Sequence, residues 1–185
     1  MDMPEPNVSD VELLGEGRFV RLVRRGGWEY SERSRGSAAA MALAITDADE
    51  VVLVEQRRVP VDAPVIELPA GLVGDEGAAD EDPAVAMARE LVEETGFEAA
   101  RLELLASGPE APGSSSAMVL IYRATGLTRV GEGGGVAGTE SIRVHVVPRA
   151  ELPDWLRRRE RDGDLVDARV WAALFLHLVT PPAGA

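Results

Sequence analysis

The segment Arg89-Glu90-Leu91-Val92-Glu93-Glu94-Thr95-Gly96 places three carboxylates within five residues. If the segment is helical, Glu90 and Glu94 lie one turn apart on one face, with Glu93 about 60° around from Glu90. Like charges at this spacing repel by roughly 0.2–0.5 kcal/mol per exposed pair. A divalent cation removes that penalty. A guanidinium is the alternative neutraliser, and Arg89 is placed to pair with Glu93. Ligands that are all oxygen suit Mg²⁺ or Mn²⁺ rather than a softer metal. The competing reading is a solvated acidic face, so the surroundings of the segment must decide.

Those surroundings predict a helix over 83–95. Asp82 can cap it, Pro83 fits its first turn and Gly96 stops it. Val85, Ala88 and Val92 recur at helical spacing and predict one apolar face. Upstream, Phe19–Arg24 and Trp28–Arg33 read as strands joined by a turn at Arg25-Gly26-Gly27. The Ala-rich stretch Ser37–Ile45 suits helix or strand. It is assigned as a strand because the turn Asp47–Glu50 and the clear strand Val51–Glu55 follow at once. Val65–Leu68 is a short apolar piece, and a loop runs from Pro69 to Asp82. Downstream, Ala100–Leu105, Ala117–Ala124 and Ile142–Val147 are predicted strands. Between them lie a turn-rich stretch, Ser107–Ser116, and a glycine-rich loop, Leu127–Thr139. Helices are predicted over Glu151–Arg161 and Leu165–Leu178, separated by Asp162-Gly163-Asp164. The order implies a mixed α/β chain with non-adjacent strands.

Composition narrows the function. The 185 residues carry 19 basic and 32 acidic side chains, for a net charge of −13, and every basic residue is an arginine. Such a balance argues against unselective binding to nucleic acid or anionic membrane. An anionic small substrate stays open, because local arginines or a bound cation override global charge. With no cysteine, thiol catalysis, disulfides and Cys-type metal centres are excluded. His145 and His177 are the two histidines, too few for a His-rich metal site. The acidic start, broken by Pro4 and Pro6, lacks the pattern of a secretory signal. No apolar run approaches the roughly 20 residues of a membrane span. A cytoplasmic location is expected.

The acidic segment sits in a larger pattern: Glu81, seven residues, Arg89-Glu90-Leu91, then Glu93-Glu94, Gly96 and Phe97. This resembles the signature of the Nudix hydrolases. Its leading glycine corresponds to Gly71, but nine residues separate Gly71 from Glu81 instead of the family's five, which places four extra residues within Gly74–Asp80. The resemblance implies an α/β/α sandwich around a mixed β-sheet, with an N-terminal strand extension. It implies hydrolysis of a nucleoside diphosphate linked to another group, with Mg²⁺ (Mn²⁺ as the alternative) as cofactor. Glu90, Glu94 and the Ala70 carbonyl are then metal ligands, and Glu93 bridges or acts through water. Glu81 and Arg89 brace the signature, while Gly71 and Gly96 serve backbone geometry.

The flanks are similar to the ADP-ribose pyrophosphatase group: Val54-Glu55-Gln56-Arg57-Arg58-Val59-Pro60, Glu67-Leu68-Pro69-Ala70-Gly71-Leu72, Glu140 to Val147, and Val166-Asp167-Ala168-Arg169-Val170. That likeness implies cleavage of ADP-ribose to AMP and ribose 5-phosphate. GDP-mannose, NADH or a noncatalytic regulatory role are the alternatives. Trp28 is expected to stack on adenine, partly across a homodimer boundary, and Arg33 and Arg58 to clamp phosphate. Glu67 either lines the substrate side or bonds its own loop. Glu140 is expected to hold metal or activate water, with Glu132 as runner-up. The glycines at 131, 133, 134 and 135 give that loop freedom to close or mark a disordered crossing. Asp167 and Arg169 are read as a structural ion pair in preference to a pair that orients the loop, and His145 as locally satisfied. Residues 1–36 are assigned to N-terminal strands and dimerisation, and 37–180 to the hydrolase domain. No nucleic-acid or membrane partner is expected.

Overall fold

The computed structural model describes residues 10–34, 36, 38–74, 80–135 and 141–181. Its centre is strand β4 (Ala38–Ile45), whose side chains alternate small and large. Ala38, Ala40, Ala42 and Ala44 face one side, and Met41, Leu43 and Ile45 face the other. The alanines explain the helix-or-strand ambiguity of this stretch: they leave room for a helix to lie close on the sheet. That helix is α1 (Pro83–Thr95), bounded as predicted, with the Asp82 side chain accepting from Ala84 N and Gly96 closing it at φ 72°.

Around β4 the sheet is mixed. Strands β5 (Glu50–Arg58), β6 (Ala63–Glu67) and the short β11 (Leu165–Val166) extend one side; β9 (Met118–Arg129) and β8 (Phe97–Pro109) extend the other. Strand β7 (Ala70–Val73) also pairs with β4, and β10 (Arg143–Pro148) with β5. The β4–β9 and β6–β11 pairs are parallel, whereas β4–β5, β5–β6 and β8–β9 are antiparallel. Helices α2 (Leu152–Asp162) and α3 (Ala168–Val179) cover the face opposite α1, burying Leu152, Leu156, Val170 and Ala173 against Leu43, Leu53 and Ile66. The result is the expected α/β/α sandwich. A separate antiparallel sheet, β1 (Val11–Glu16), β2 (Val20–Arg25) and β3 (Trp28–Arg33), forms the N-terminal extension. It is tied to the core where Ser31 exchanges backbone hydrogen bonds with Ser114 and Ser116.

Several expectations are corrected. The apolar stripe Val85, Ala88, Val92 does not face the core; Val85 is exposed, and the buried face is Ala86, Met87, Leu91, Glu94 and Thr95. A buried carboxylate on that face hid it from a hydrophobicity pattern. The stretch Leu165–Leu178 is not one helix. Its first two residues pair with Val65 and Ile66, and Asp167 then caps α3 by accepting from Arg169 N. Strand β1 lies in the acidic start, and β7 lies where a loop was expected, because β4 offers an edge for it. No helix among the described residues is long and apolar enough to cross a membrane.

Candidate functional site

Strands β5, β6 and β7, helix α1 and the start of α3 enclose a cavity of about 840 Å³, and β3 reaches its rim. One wall is acidic. Glu94 is only 4% exposed, and its Oε2 accepts from the backbone N–H of Ala70 at 2.9 Å. Glu90, one turn earlier, also faces the cavity and accepts from Arg89 Nη1 at 2.8 Å. Gly71 makes this packing fit: a Cβ there would lie 2.0 Å from Glu90 Cδ. Thus the strand after Pro69 presses against the helix through a residue with no side chain, and the Glu90 carboxylate fills the space.

The remaining signature residues brace this wall from behind. Arg89 pairs with Glu81 at 3.8 Å and with Glu93 at 3.5 Å, though its shortest pair is with Glu90. Glu81 Oε2 accepts from Gly74 N at 2.9 Å. Residues 75–79, where most of the longer loop falls, are outside the described residues, but Gly74 and Glu81 on either side of it are bonded to each other. Glu93 is half-buried and lies off the cavity.

The C-terminal end of α1 is clasped by the glycine-rich loop. Gly134 N donates to Glu94 O at 2.8 Å and Gly135 N to Glu93 O at 3.0 Å; Val130 N and Gly131 N donate to Gly96 O. These bonds satisfy carbonyls that a helix end leaves open. The fit requires glycine, because a Cβ on Gly133 (φ 71°) would lie 2.4 Å from Thr95 C. At 131–135, therefore, the loop is a docked cap rather than a free hinge. Glu132 belongs to that cap, and Arg129 Nη2 donates to its carbonyl. Glu140 lies outside the described residues.

A second part of the lining, a wall of its own, is rich in arginine. Arg58 Nε donates to Glu67 Oε2 at 2.7 Å, and Glu67 is 8% exposed, so it both lines the cavity and bonds its neighbouring strand. Arg169 at the start of α3 makes a bidentate pair with Asp167. Burial pushes the Asp167 carboxyl up, but its hydrogen bonds to the Arg169 side chain and backbone outweigh this and hold it below the usual carboxylate range. Arg33, from β3, completes the wall. Trp28 does not join the cavity. It sits where β3 leaves the hairpin turn, paired with Arg25, and is 62% exposed. His145 is satisfied away from the site, with Nε2 2.8 Å from Glu55 Oε2 and its ring against Trp155.

Chemically, the cavity brings the buried Glu94 and the half-buried Glu90 together with three guanidiniums. Among the described residues no three acidic or histidine side chains already converge on one point. Yet Glu90, Glu94 and the Ala70 backbone share one wall, and a hard oxygen-seeking cation fits that donor set.

Residues 36–167 match the NUDIX domain family. The chain belongs to the Nudix family. The chain is 33% identical to the methanol dehydrogenase activator of Bacillus methanolicus, over 75% of this chain and 76% of that protein. It is also 33% identical to the ADP-ribose pyrophosphatase of Mycobacterium tuberculosis, over 84% and 72% of the two chains. A crystal structure of an ADP compounds hydrolase superposes with a TM-score of 0.74 at 26% identity, covering 95% of this chain and 94% of that one. The chain is thus a Nudix protein similar to the ADP-ribose pyrophosphatases. Nudix hydrolases generally use divalent metals, which agrees with the acidic wall. Sequence reasoning missed Glu110, whose carboxylate also lines the cavity; the expected Asp167–Arg169 ion pair is present, and both of its members line the cavity as well. Glu110 carries no motif signal, since it stands in a turn-rich stretch between Pro109 and Ala111.

Proposed function

We propose that this Nudix protein hydrolyses ADP-ribose to AMP and ribose 5-phosphate with Mg²⁺ or Mn²⁺. One observation carries the reading: Glu90 and the buried Glu94 line the same cavity as Arg33, Arg58 and Arg169. A diphosphate needs both, a cation held by carboxylates on one side and guanidinium donors on the other. In this reading Glu90, Glu94 and the Ala70 carbonyl hold the cation, and Glu93, off the cavity, acts through water. A cation held by these residues would supply charge neutralisation at the phosphates and a more acidic water. Arg58, oriented by Glu67, and Arg33 hold phosphoryl oxygens. Arg89 and Glu81 keep the carboxylates in place, and Glu140 takes the proton of the attacking water. Gly96, clasped by the glycine loop, fixes the end of the helix that bears these acids.

Residues 1–36 are assigned to dimerisation and 37–180 to the catalytic domain. Val11, Leu13, Val20, Leu22 and Trp28 are exposed on the N-terminal sheet, which supports a homodimer in which Trp28 stacks on adenine at the neighbouring site. A second reading, a regulatory role toward another enzyme, is favoured by the likeness to a dehydrogenase activator.

The deciding experiment incubates the protein with ADP-ribose, GDP-mannose, NADH and ADP-glucose, with Mg²⁺ or Mn²⁺, and resolves products by chromatography. AMP and ribose 5-phosphate from ADP-ribose are expected to dominate. Glu94→Gln is expected to lose at least ~100-fold in rate, since even outer-shell changes at metal sites cost 10–100-fold. Preserved turnover in that variant would sink the mechanism. Guanine products in excess would move the substrate to GDP-mannose, and no turnover of any compound would favour the regulatory reading.

A further inference from the structure

The arginine wall contains two kinds of ion pair. Arg58–Glu67 is tight at 2.7 Å, and Arg169 closes two guanidinium edges, Nε and Nη2, on Asp167. Glu110 is different. Its Oε1 lies 3.3 Å from Arg169 Nη1 and its Oε2 lies 3.7 Å from Arg33 Nη2. Charge-assisted hydrogen bonds settle near 2.7–2.9 Å. Both contacts are long because one carboxylate is stretched between two cations on separate elements, β3 and α3. Arg33 Nε has no hydrogen-bond partner among the described residues. Meanwhile the Glu110 backbone is pinned, its N–H donating to Ala117 O at 2.9 Å. The carboxylate can therefore swing aside without unfolding its loop. All three side chains are about one-third exposed, so an anion entering from the cavity reaches them.

We infer that Arg33 and Arg169 form a phosphoryl-binding subsite in which Glu110 is an internal placeholder, displaced when a phosphoryl group enters. The inference deepens the proposed hydrolase reading and rests on it for the identity of the anion. A tetrahedral phosphoryl group presents several oxygens and can meet both guanidiniums at normal distance; the carboxylate has two oxygens and meets neither well. The placeholder keeps the two cations near each other while the cavity is empty. It also weakens retention of phosphate monoesters, the products of diphosphate cleavage. Glu110 thereby sets affinity for the anion, whereas Asp167 sets the position of Arg169.

The test is calorimetric titration of the full chain with inorganic phosphate and, separately, with AMP, at fixed ionic strength and without divalent metal. Glu110→Gln removes the competing charge and keeps the shape. Phosphate is expected to bind it at least fivefold more tightly than wild type, with Glu110→Asp close to wild type. Adding Arg169→Gln to Glu110→Gln is expected to abolish the gain. AMP gaining as much as phosphate identifies the product's phosphoryl group as the source; a gain for phosphate alone identifies the free ion, and either supports the subsite. Weaker binding or an unchanged Kd in Glu110→Gln, with a normal thermal transition, would overturn the inference and leave Glu110 a structural bridge, as would a gain that survives Arg169→Gln. If Glu110→Gln does not fold, wild-type phosphate affinity lowered by Arg169→Gln alone supports the subsite, and affinity unchanged by it overturns the subsite. Because no turnover is read, a phosphate gain in a protein that cleaves no diphosphate would reject the hydrolase reading and keep this one.

Discussion

The two walls of the cavity are built in opposite ways. The acidic wall comes from one stretch of chain: Ala70 and Gly71 meet Glu90 and Glu94, all within 25 residues. Its positions are set by backbone, through the Ala70 N–H on Glu94, the missing Cβ of Gly71 and the clasped helix end. The arginine wall gathers Arg33, Arg58 and Arg169 from three elements, and Glu110 from the turn after β8, spread over most of the sequence. Its positions are set by side-chain ion pairs. A wall fixed by close packing tolerates little change, since interiors respond to even one added methyl group. A wall held by part-exposed ion pairs is adjustable, since such pairs are individually worth little. The first suits a cation with strict geometry; the second suits substrates of differing shape.

That contrast can be broken by substitution. The largest effect is expected from Gly71→Ala. The new Cβ collides with the Glu90 side chain, so the helix or the carboxylate must move, at about 1–3 kcal/mol in stability. The expected result is a loss of at least ~100-fold in kcat/KM, because misplacement by about 1 Å costs that much. Steady-state kinetics with a melting curve checks both, and near-normal activity would show that the acidic wall is not tightly packed. A smaller effect is expected from Arg58→Ala on the other wall. KM should rise about tenfold or more, matching one lost charge-assisted bond of roughly 1.5–3 kcal/mol. An equal fall in kcat with KM unchanged would instead place Arg58 in transition-state contact only.

The smallest effect concerns the remote anchoring of the arginine wall. Helix α3 carries Arg169 at one end, and its other end is stapled by the buried Arg123, which donates to Thr180 O, pairs with Glu103 and lies 3.4 Å from His177 Nδ1. Burial, then Arg123 and Arg149, hold the His177 pKa below its ordinary value, with Asp49 opposing. The folded chain then takes up this proton at lower pH than the unfolded chain does. Stability is full above the unfolded value of about 6.5 and falls as pH drops through the folded one. His177→Gln should therefore lose less Tm between pH 7.5 and 5.5 than wild type. Parallel Tm curves would show that the staple does not titrate.

Much of the acidic wall was legible in the residues. Asp82, Pro83 and Gly96 bound the helix, and the spacing of Glu81, Arg89, Glu90, Glu93 and Glu94 identified it, because helix geometry turns spacing into position. The buried face of the same helix was misread. Glu94 sits there for chemistry rather than hydrophobicity, so apolar periodicity selected Val85, Ala88 and Val92 instead. Strand β11 was absorbed into a helix for a related reason: two residues pair only because β6 offers them an edge.

By itself, then, the sequence determined the chemistry available: oxygen donors at one-turn spacing, arginine as the only cationic side chain fully charged at neutral pH, and no thiol. The tertiary structure alone decided which arginines face those acids. Glu110 and Arg33 are 77 positions apart, and Arg169 is a further 59 beyond Glu110. Their meeting depends on how β3, the turn after β8 and α3 pack, and no local rule of spacing encodes that. Side-chain ion pairs between distant elements exist only after the hydrophobic layers have set the distances, whereas a helix sets its own.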